Sequence, residues 1–281
     1  MCMYCDAYGN PEYGDGVWYL NPYNYARQMY KVRKPGEKQK GYEIDPETAA
    51  RLGFNDALEV LYTEPEKFDE AIKRADDQMA VHTVGQVVPL QEAEKILDIA
   101  GPIAAMHCVC RKATRAREED DPALYSCGGL GVGMLKWERW PERYKGGVDF
   151  MSPEKAKEWL RKWNQRGMVH TIMVFGPPYI GGLCNCDYPD CGAIRQRIDY
   201  DLPHALAKSH FVAKVDYDVC NGCGVCVQRC QFGALKFEPT IQRPNIDMSK
   251  CFGCGLCETG CPRDAITLID KMGVPALREV W

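Results

Sequence analysis

The sequence predicts an α+β protein: an N-terminal α/β cysteine-rich domain followed by a C-terminal domain with pseudo-two-fold symmetry. Three observations carry this. Two stretches each read as helix, glycine, strand and a C-x-C pair. A unit of strand, cysteine loop, short helix and strand recurs near the C-terminus at an offset of 31 residues. Sixteen cysteines are grouped in C-x-C and C-x2-C spacings too tight for independent disulfides.

Residues 1–45 are rich in Tyr, Gly, Pro and Asn and include the basic run Lys31-Val-Arg-Lys34. Such a segment predicts an extended arm with little regular structure, its aromatics packing on the body of the protein. Residues 46–205 form the predicted cysteine-rich domain. Asp45-Pro46 reads as an N-cap with Pro at the first helical position, and Thr63-x-x-Glu66 as a capping box. The helix after that box carries Phe68, Ala71, Ile72, Ala75 and Met79 at helical intervals, so one stripe should face a core.

The two similar units follow. From Pro89 a helix presents Leu90, Ala93, Ile96 and Leu97, stops at Gly101, and gives way to the apolar run Ile103–Met106 and Cys108-Val-Cys110. From Ser152-Pro153 a helix presents Ala156, Trp159, Leu160 and Trp163, stops at Gly167, and leads through the apolar Met168–Phe175 to Cys184-Asn-Cys186. If the two units lie side by side in one sheet, both C-x-C pairs emerge at the same edge.

The stronger repeat fills residues 206–271. Val215-Asp216 through Cys220 matches Ile246-Asp247 through Cys251, and Phe232–Phe237 matches Arg263–Leu268. Residues 272–281 are a tail that folds back or docks to a partner.

Composition sets the class. Hydrophobic residues are 46% and charged residues 26% of the chain, an ordinary globular profile. The N-terminus Met-Cys-Met-Tyr-Cys-Asp lacks the pattern of a signal peptide, and no apolar run approaches a membrane span. The expected location is cytoplasmic, in a reducing and anaerobic cell. A net charge of −4 gives no field for nucleic acid or an anionic membrane.

Chemistry concentrates in the cysteines. Cys220-x2-Cys223-x2-Cys226-x3-Cys230 and Cys251-x2-Cys254-x2-Cys257-x3-Cys261-Pro262 each set three thiols on a tight loop and a fourth beyond it. Glycines 222, 224, 253 and 255 let backbone N–H groups approach the sulfurs. Residues from about 211 to 271 resemble a two-cluster bacterial ferredoxin. The resemblance implies two [4Fe–4S] clusters whose fourth cysteines cross over. It assigns Cys220, Cys223, Cys226 and Cys261 to cluster one, and Cys251, Cys254, Cys257 and Cys230 to cluster two. One departure is Gln231, which stands where the first motif would carry Pro. Zinc, the competing metal, favours paired short knuckles over two four-cysteine runs. Six Lys/Arg against seven Asp/Glu between Lys214 and Asp270 favour a fixed relay over a strongly acidic diffusing carrier.

Eight cysteines remain. The spacing predicts a third [4Fe–4S] cluster on Cys108, Cys110, Cys184 and Cys186, with Cys127 and Cys191 as alternates. Structural zinc and reduced or redox-active thiols are the competing readings. Cys2-x2-Cys5 needs two further ligands, which Cys127 and Cys191 would supply; zinc, a fourth cluster and unliganded thiols all fit. The region from about 80 also resembles the N-terminal part of a poorly characterised group of ferredoxin-like iron–sulfur proteins of anaerobes, through Cys108-Val-Cys110-Arg111, Gly167-Met-Val-His170 and Cys184-Asn-Cys186. That likeness implies redox function alone.

Arg111 reads either as a donor to a cluster sulfur or as a surface residue. His170, amid Val169, Ile172 and Val174, reads as a satisfied core histidine. The runs Arg111–Arg117 and Glu118–Asp121 read as a solvated face, and Trp137 and Trp140 as core or interface. The glycine run Cys127–Gly133 follows no strand and forms no dinucleotide fingerprint.

The expected function is therefore an electron-transfer iron–sulfur subunit of an anaerobic oxidoreductase complex, its N-terminal domain docked to a catalytic or flavoprotein partner. No acid/base pair stands beside the cysteines, so a non-catalytic subunit is expected over an enzyme. The alternative is a self-contained reductase with a catalytic cluster or thiol pair at the C-x-C site. A nucleic-acid-binding redox sensor would need a concentrated basic face that the chain lacks.

Overall fold

The computed structural model describes residues 2–13, 16–25, 63–81, 85–108, 110–111, 125–138, 148–174 and 178–280. The helix expected from Asp45-Pro46, the basic run at 31–34, the charged residues 112–121, Trp140 and the side chain of Trp137 lie outside this description.

Residues 2–25 differ from the extended arm expected. They fold into α1 (Met3–Tyr8) and three 3-10 turns at Pro11–Tyr13, Trp18–Leu20 and Pro22–Asn24. Asn24 makes this possible, because its side chain donates to Trp18 O at 2.7 Å and Tyr8 O at 3.0 Å. Backbone carbonyls that a loose coil would leave to water are thus satisfied internally. Trp18, Tyr19 and Tyr25 are buried in one apolar core with Ile96, Leu160 and Ile172.

The helix expected right after Thr63-x-x-Glu66 begins later: a 3-10 turn at Pro65–Lys67 intervenes, and α2 (Phe68–Val81) starts after it. Phe68, Ala71 and Ile72 are half-buried, and Asp76 accepts from the backbone N–H of His204 at 3.0 Å.

The elements that follow match the two predicted units. They are β1 (Gly85–Val88), α3 (Leu90–Ile99), β2 (Ile103–Met106), β3 (Cys127–Leu130), α4 (Gly133–Glu138), β4 (Asp149–Met151), α5 (Pro153–Gln165), β5 (Val169–Val174), β6 (Ile180–Cys186) and α6 (Gly192–Asp199). Ser152 caps α5 by accepting from the Lys155 N–H, and Gly167 takes the left-handed φ of 86° that ends the helical turn. Six strands form one sheet in the order β1-β5-β6-β3-β2-β4, and every neighbouring pair is antiparallel. An antiparallel sheet corrects the α/β expectation for this part, since βαβ units require parallel strands.

The arrangement of the units is also corrected. Their strands β2 and β5 are separated by β6 and β3, and they run in opposite directions. Cys184 and Cys186 sit on the return strand β6, opposite Thr171 and Val169 at the start of β5. Because β6 runs in the direction of β2, both C-x-C pairs still reach the same edge of the sheet.

The C-terminal repeat is realised as β7 (Phe211–Val215), α7 (Val225–Arg229), β8 (Leu235–Glu238), β9 (Arg243–Ile246), α8 (Leu256–Thr259) and β10 (Ile266–Asp270). β7 pairs with β10 and β8 with β9, so each small sheet takes one strand from each copy of the repeat. The tail folds back through 3-10 turns at Lys271–Gly273 and Pro275–Leu277, with Leu277 buried and Lys271 Nζ donating to Val280 O at 2.8 Å. Among the described residues no helix is long and apolar enough to cross a membrane.

Candidate metal centres

The two loops of the repeat are built around left-handed glycines. Gly222 and Gly224 both have φ of 75°, and Gly253 and Gly255 have 63° and 77°. At two of them a side chain has no room: a Cβ on Gly222 would meet Gln242 O at 2.3 Å, and one on Gly253 would meet Phe211 O at 2.1 Å. The tight turns aim backbone N–H groups at sulfur, Gly253 at Cys251 Sγ (3.3 Å) and Ala265 at Cys261 Sγ (3.3 Å).

A cavity lies inside the first loop, lined by Cys220, Cys223, Cys226 and Cys261 together with Pro262 and Ala265. Its fourth thiol comes from the other motif. Reciprocally, Cys230 lies within electrostatic range of Cys251, Cys254 and Cys257. Four thiols converging on a cavity whose backbone donors point at sulfur fit a [4Fe–4S] cube. Burial pushes the Cys226 thiol up to about 11 and Cys254 to about 12. Metal uptake at these sites is therefore coupled to release of thiol protons.

Six further cysteines form a second group at the edge of the sheet. Cys108 contacts Cys110 and Cys127, Cys127 contacts Cys184, Cys184 contacts Cys186, and Cys186 contacts Cys191. Cys191 in turn lies within electrostatic range of Cys110, which closes the chain into a ring. Sheet register explains half of it: Cys127 on β3 pairs directly with Cys184 on β6, and Cys186 lies two residues on, on the same face. The four sequence-predicted ligands are brought together, and both alternates stand among them. The thiols of Cys110 and Cys127 hold Cys108 down to about 2, and those of Cys184 and Cys191 lower Cys186. The neighbours donate to these two sulfurs and are themselves raised.

The two groups touch through one apolar core. Cys186, Cys191, Ile194 and Val169 are buried together with Phe252 and Leu256, and Cys184 and Cys254 pack against them. Polar contacts brace the junction. Arg229 Nη2 donates to Asn164 O at 2.9 Å and its Nε to Leu256 O at 2.8 Å. Gln231, the residue in place of Pro, accepts from Tyr188 N–H at 2.8 Å and donates to Gly167 O at 2.5 Å. Proline could do neither.

Cys2 and Cys5 do not join Cys127 and Cys191. Their sulfurs lie 3.3 Å apart, and Cys5 Sγ is 3.2 Å from His210 Nε2. His210 had no sequence signal, because it lies outside every cysteine motif and 205 positions from Cys5.

Other candidates have structural roles. Arg111 is buried, its guanidinium paired with Asp187 and donating to Ser126 Oγ at 2.6 Å; it is no surface residue, and its backbone N–H approaches Cys108 Sγ at 3.4 Å. His170 is fully buried between Asn185 Oδ1 (2.7 Å) and Asn164 Nδ2 (3.1 Å), and burial lowers it to about 4. The glycine run begins as the antiparallel strand β3, a context foreign to dinucleotide sites.

Residues 219–265 match the family model described as a 4Fe-4S dicluster domain. No curated protein matches the chain. The C-terminal repeat is thus a ferredoxin-like iron–sulfur domain, and the chain has an iron–sulfur electron-transfer role.

Proposed function

We propose that the chain is the electron-transfer subunit of an anaerobic oxidoreductase complex, with two [4Fe–4S] clusters in the ferredoxin-like domain and a third held by the six-cysteine ring. Bound clusters supply one-electron capacity at low potential. Cys220, Cys223, Cys226 and Cys261 would hold the first, and Cys251, Cys254, Cys257 and Cys230 the second. Cys108, Cys110, Cys184 and Cys186 would hold the third, leaving Cys127 and Cys191 in reserve.

The observation that carries this reading is the shared apolar core. Cys186 and Cys191 of the ring and Phe252, Leu256 and Cys254 of the second loop exclude water together. Two redox sites in one dry, rigid wall suit transfer between them, because little polar surroundings must reorganise. The opposite end of the domain is open. Cys223 is exposed, and Tyr217, Val219, Phe237 and Ile241 leave large apolar side chains in solvent around the first loop and the β8–β9 turn. That rim suits a redox partner protein. Electrons would run between the partner, the first cluster, the second cluster and the ring. Burial of Cys108, Cys186 and Cys191 favours a relay over a self-contained reductase, whose substrate must reach the ring.

The test is iron and acid-labile sulfide per chain on anaerobically purified protein. About twelve of each is expected for three cubes. About eight would confine electron transfer to the ferredoxin-like domain.

A further inference from the structure

We infer that Cys2, Cys5 and His210 bind a single zinc ion that clasps the first residues of the chain to the ferredoxin-like domain. The inference stands whether or not the ring holds a third cluster.

Geometry argues for one ion. Among the described residues, these are the one set of three Cys, His, Asp or Glu ligand atoms lying within 4.8 Å of one another. That span suits ligands around one centre, whereas a cube spreads its thiolates over the corners of a cage. The ring thiols, by contrast, meet in successive pairwise contacts and form no such three-way set.

Local structure presents the donors. Cys2 stands at the N-cap position of α1 and Cys5 lies one turn on, so the i, i+3 spacing puts both sulfurs on the same side. Both residues are buried, at 3% and 5% exposure. His210 arrives from the turn before β7, and its Nδ1 is 2.8 Å from the hydroxyl of the fully buried Tyr19. That bond fixes the ring and leaves Nε2 aimed at the thiols, the outer-shell arrangement that orients a zinc-bound histidine.

The chemistry of the set selects the metal. Two thiols and an imidazole are zinc ligands, and three protein ligands leave a fourth tetrahedral position for water. A second observation points to a missing ligand. The buried Tyr4 hydroxyl has no hydrogen-bond partner, and it lies within electrostatic range of Cys2. A zinc-bound water would give it one. Charge is also balanced, since two thiolates neutralise the ion and the buried Lys271 near Cys2 meets no net positive site.

The clasp would matter to the second cluster. His210 O accepts from Lys271 N–H at 2.9 Å, and the neighbouring Ser209 hydroxyl donates to Gly253 O at 3.0 Å in the second cysteine loop. Zinc would thus tie residues 2–25 to the strand that backs that loop.

The experiment is metal analysis with zinc-edge X-ray absorption on the full chain, purified anaerobically after growth with added zinc. About one zinc per chain is expected, with two sulfur neighbours near ~2.3 Å and two nitrogen or oxygen neighbours near ~2.0–2.1 Å. Cys5→Ser and His210→Gln should lose the zinc and keep the wild-type iron content. Tyr19→Phe should retain zinc but yield it to a chelator about ten-fold more readily. Zinc-free wild-type protein with full iron would overturn the proposal. So would an all-sulfur zinc shell, which would place the ion in the ring, or a Cys2–Cys5 disulfide seen as a loss of two hydrogens by mass. The absorption spectrum of wild type reads the ligand set even if a variant fails to fold.

Discussion

The eight cysteines from Cys220 to Cys261 and the six of the ring reach their places by different routes. The first eight sit on two loops shaped by left-handed glycines, which hold the thiols around a cavity. The six come from four separate places: the turn after β2, the start of β3, the end of β6 and the turn before α6. Sheet register sets Cys127 against Cys184, and the turns that follow β2 and β6 bring the others into contact with them. A ligand set encoded in one loop is local and tolerant of change elsewhere. One encoded in register depends on every strand between its members.

The contrast is sharpest under single substitutions. In the ferredoxin-like domain the proposed ligand sets have four thiols each and no spare, so Cys254→Ala should lower iron by about four per chain. In the ring, Cys127→Ala and Cys191→Ala should each leave the iron count unchanged. Iron lost from either would show that all six thiols are engaged and would break the proposed division into ligands and reserves.

Acid should strike the ring first. No histidine lies between residues 211 and 271, whereas His170 is buried beneath Asn185, the residue between Cys184 and Cys186. Its folded value of about 4 lies below the ordinary 6.5, so the fold holds it neutral. The stability it supports is complete above about pH 6.5 and is lost as pH falls towards about 4, a total of about 3 kcal/mol. Five of the six tryptophans precede residue 164 and the sixth is Trp281 in the tail, so in a Trp281→Phe background fluorescence follows the N-terminal part while visible absorbance follows the clusters. Denaturant midpoints read by fluorescence should fall across that window; a flat profile would remove His170 from the account of acid sensitivity.

A smaller effect tests the junction. Gln231→Pro restores the residue of the ferredoxin-like motif and removes the bonds to Tyr188 N–H and Gly167 O. Two hydrogen bonds at about 1 kcal/mol each should lower stability by about 2 kcal/mol, with iron content unchanged. No loss in urea unfolding would mean that Arg229 and the apolar core hold the two parts together unaided.

Legibility in the sequence follows the same division. The ferredoxin-like loops could be read residue by residue, because ligand spacing, turn glycines and the repeat all act within one short segment. The helix–glycine–strand units were legible from Ala93, Ile96, Ala156 and Leu160, whose helical spacing is a local signal. Strand order was not. That Cys127 faces Cys184 depends on antiparallel pairing of β3 with β6, across more than fifty residues of sequence. The role of Gln231 was hidden for the same reason, since both of its partners lie in the other part of the molecule. His210 could be linked to Cys2 and Cys5 only after residues 2–25 had been seen to pack into the core.

The measurement that bears most directly on the relay is electron paramagnetic resonance recorded at successive reducing potentials. Three clusters, two of them sharing the apolar wall around Phe252 and Leu256, should give a second-cluster signal that broadens as the ring site takes its electron. That interaction should vanish in Cys254→Ala. Spins from no more than two clusters at full reduction, or three signals that never interact, would contradict a relay through the ring.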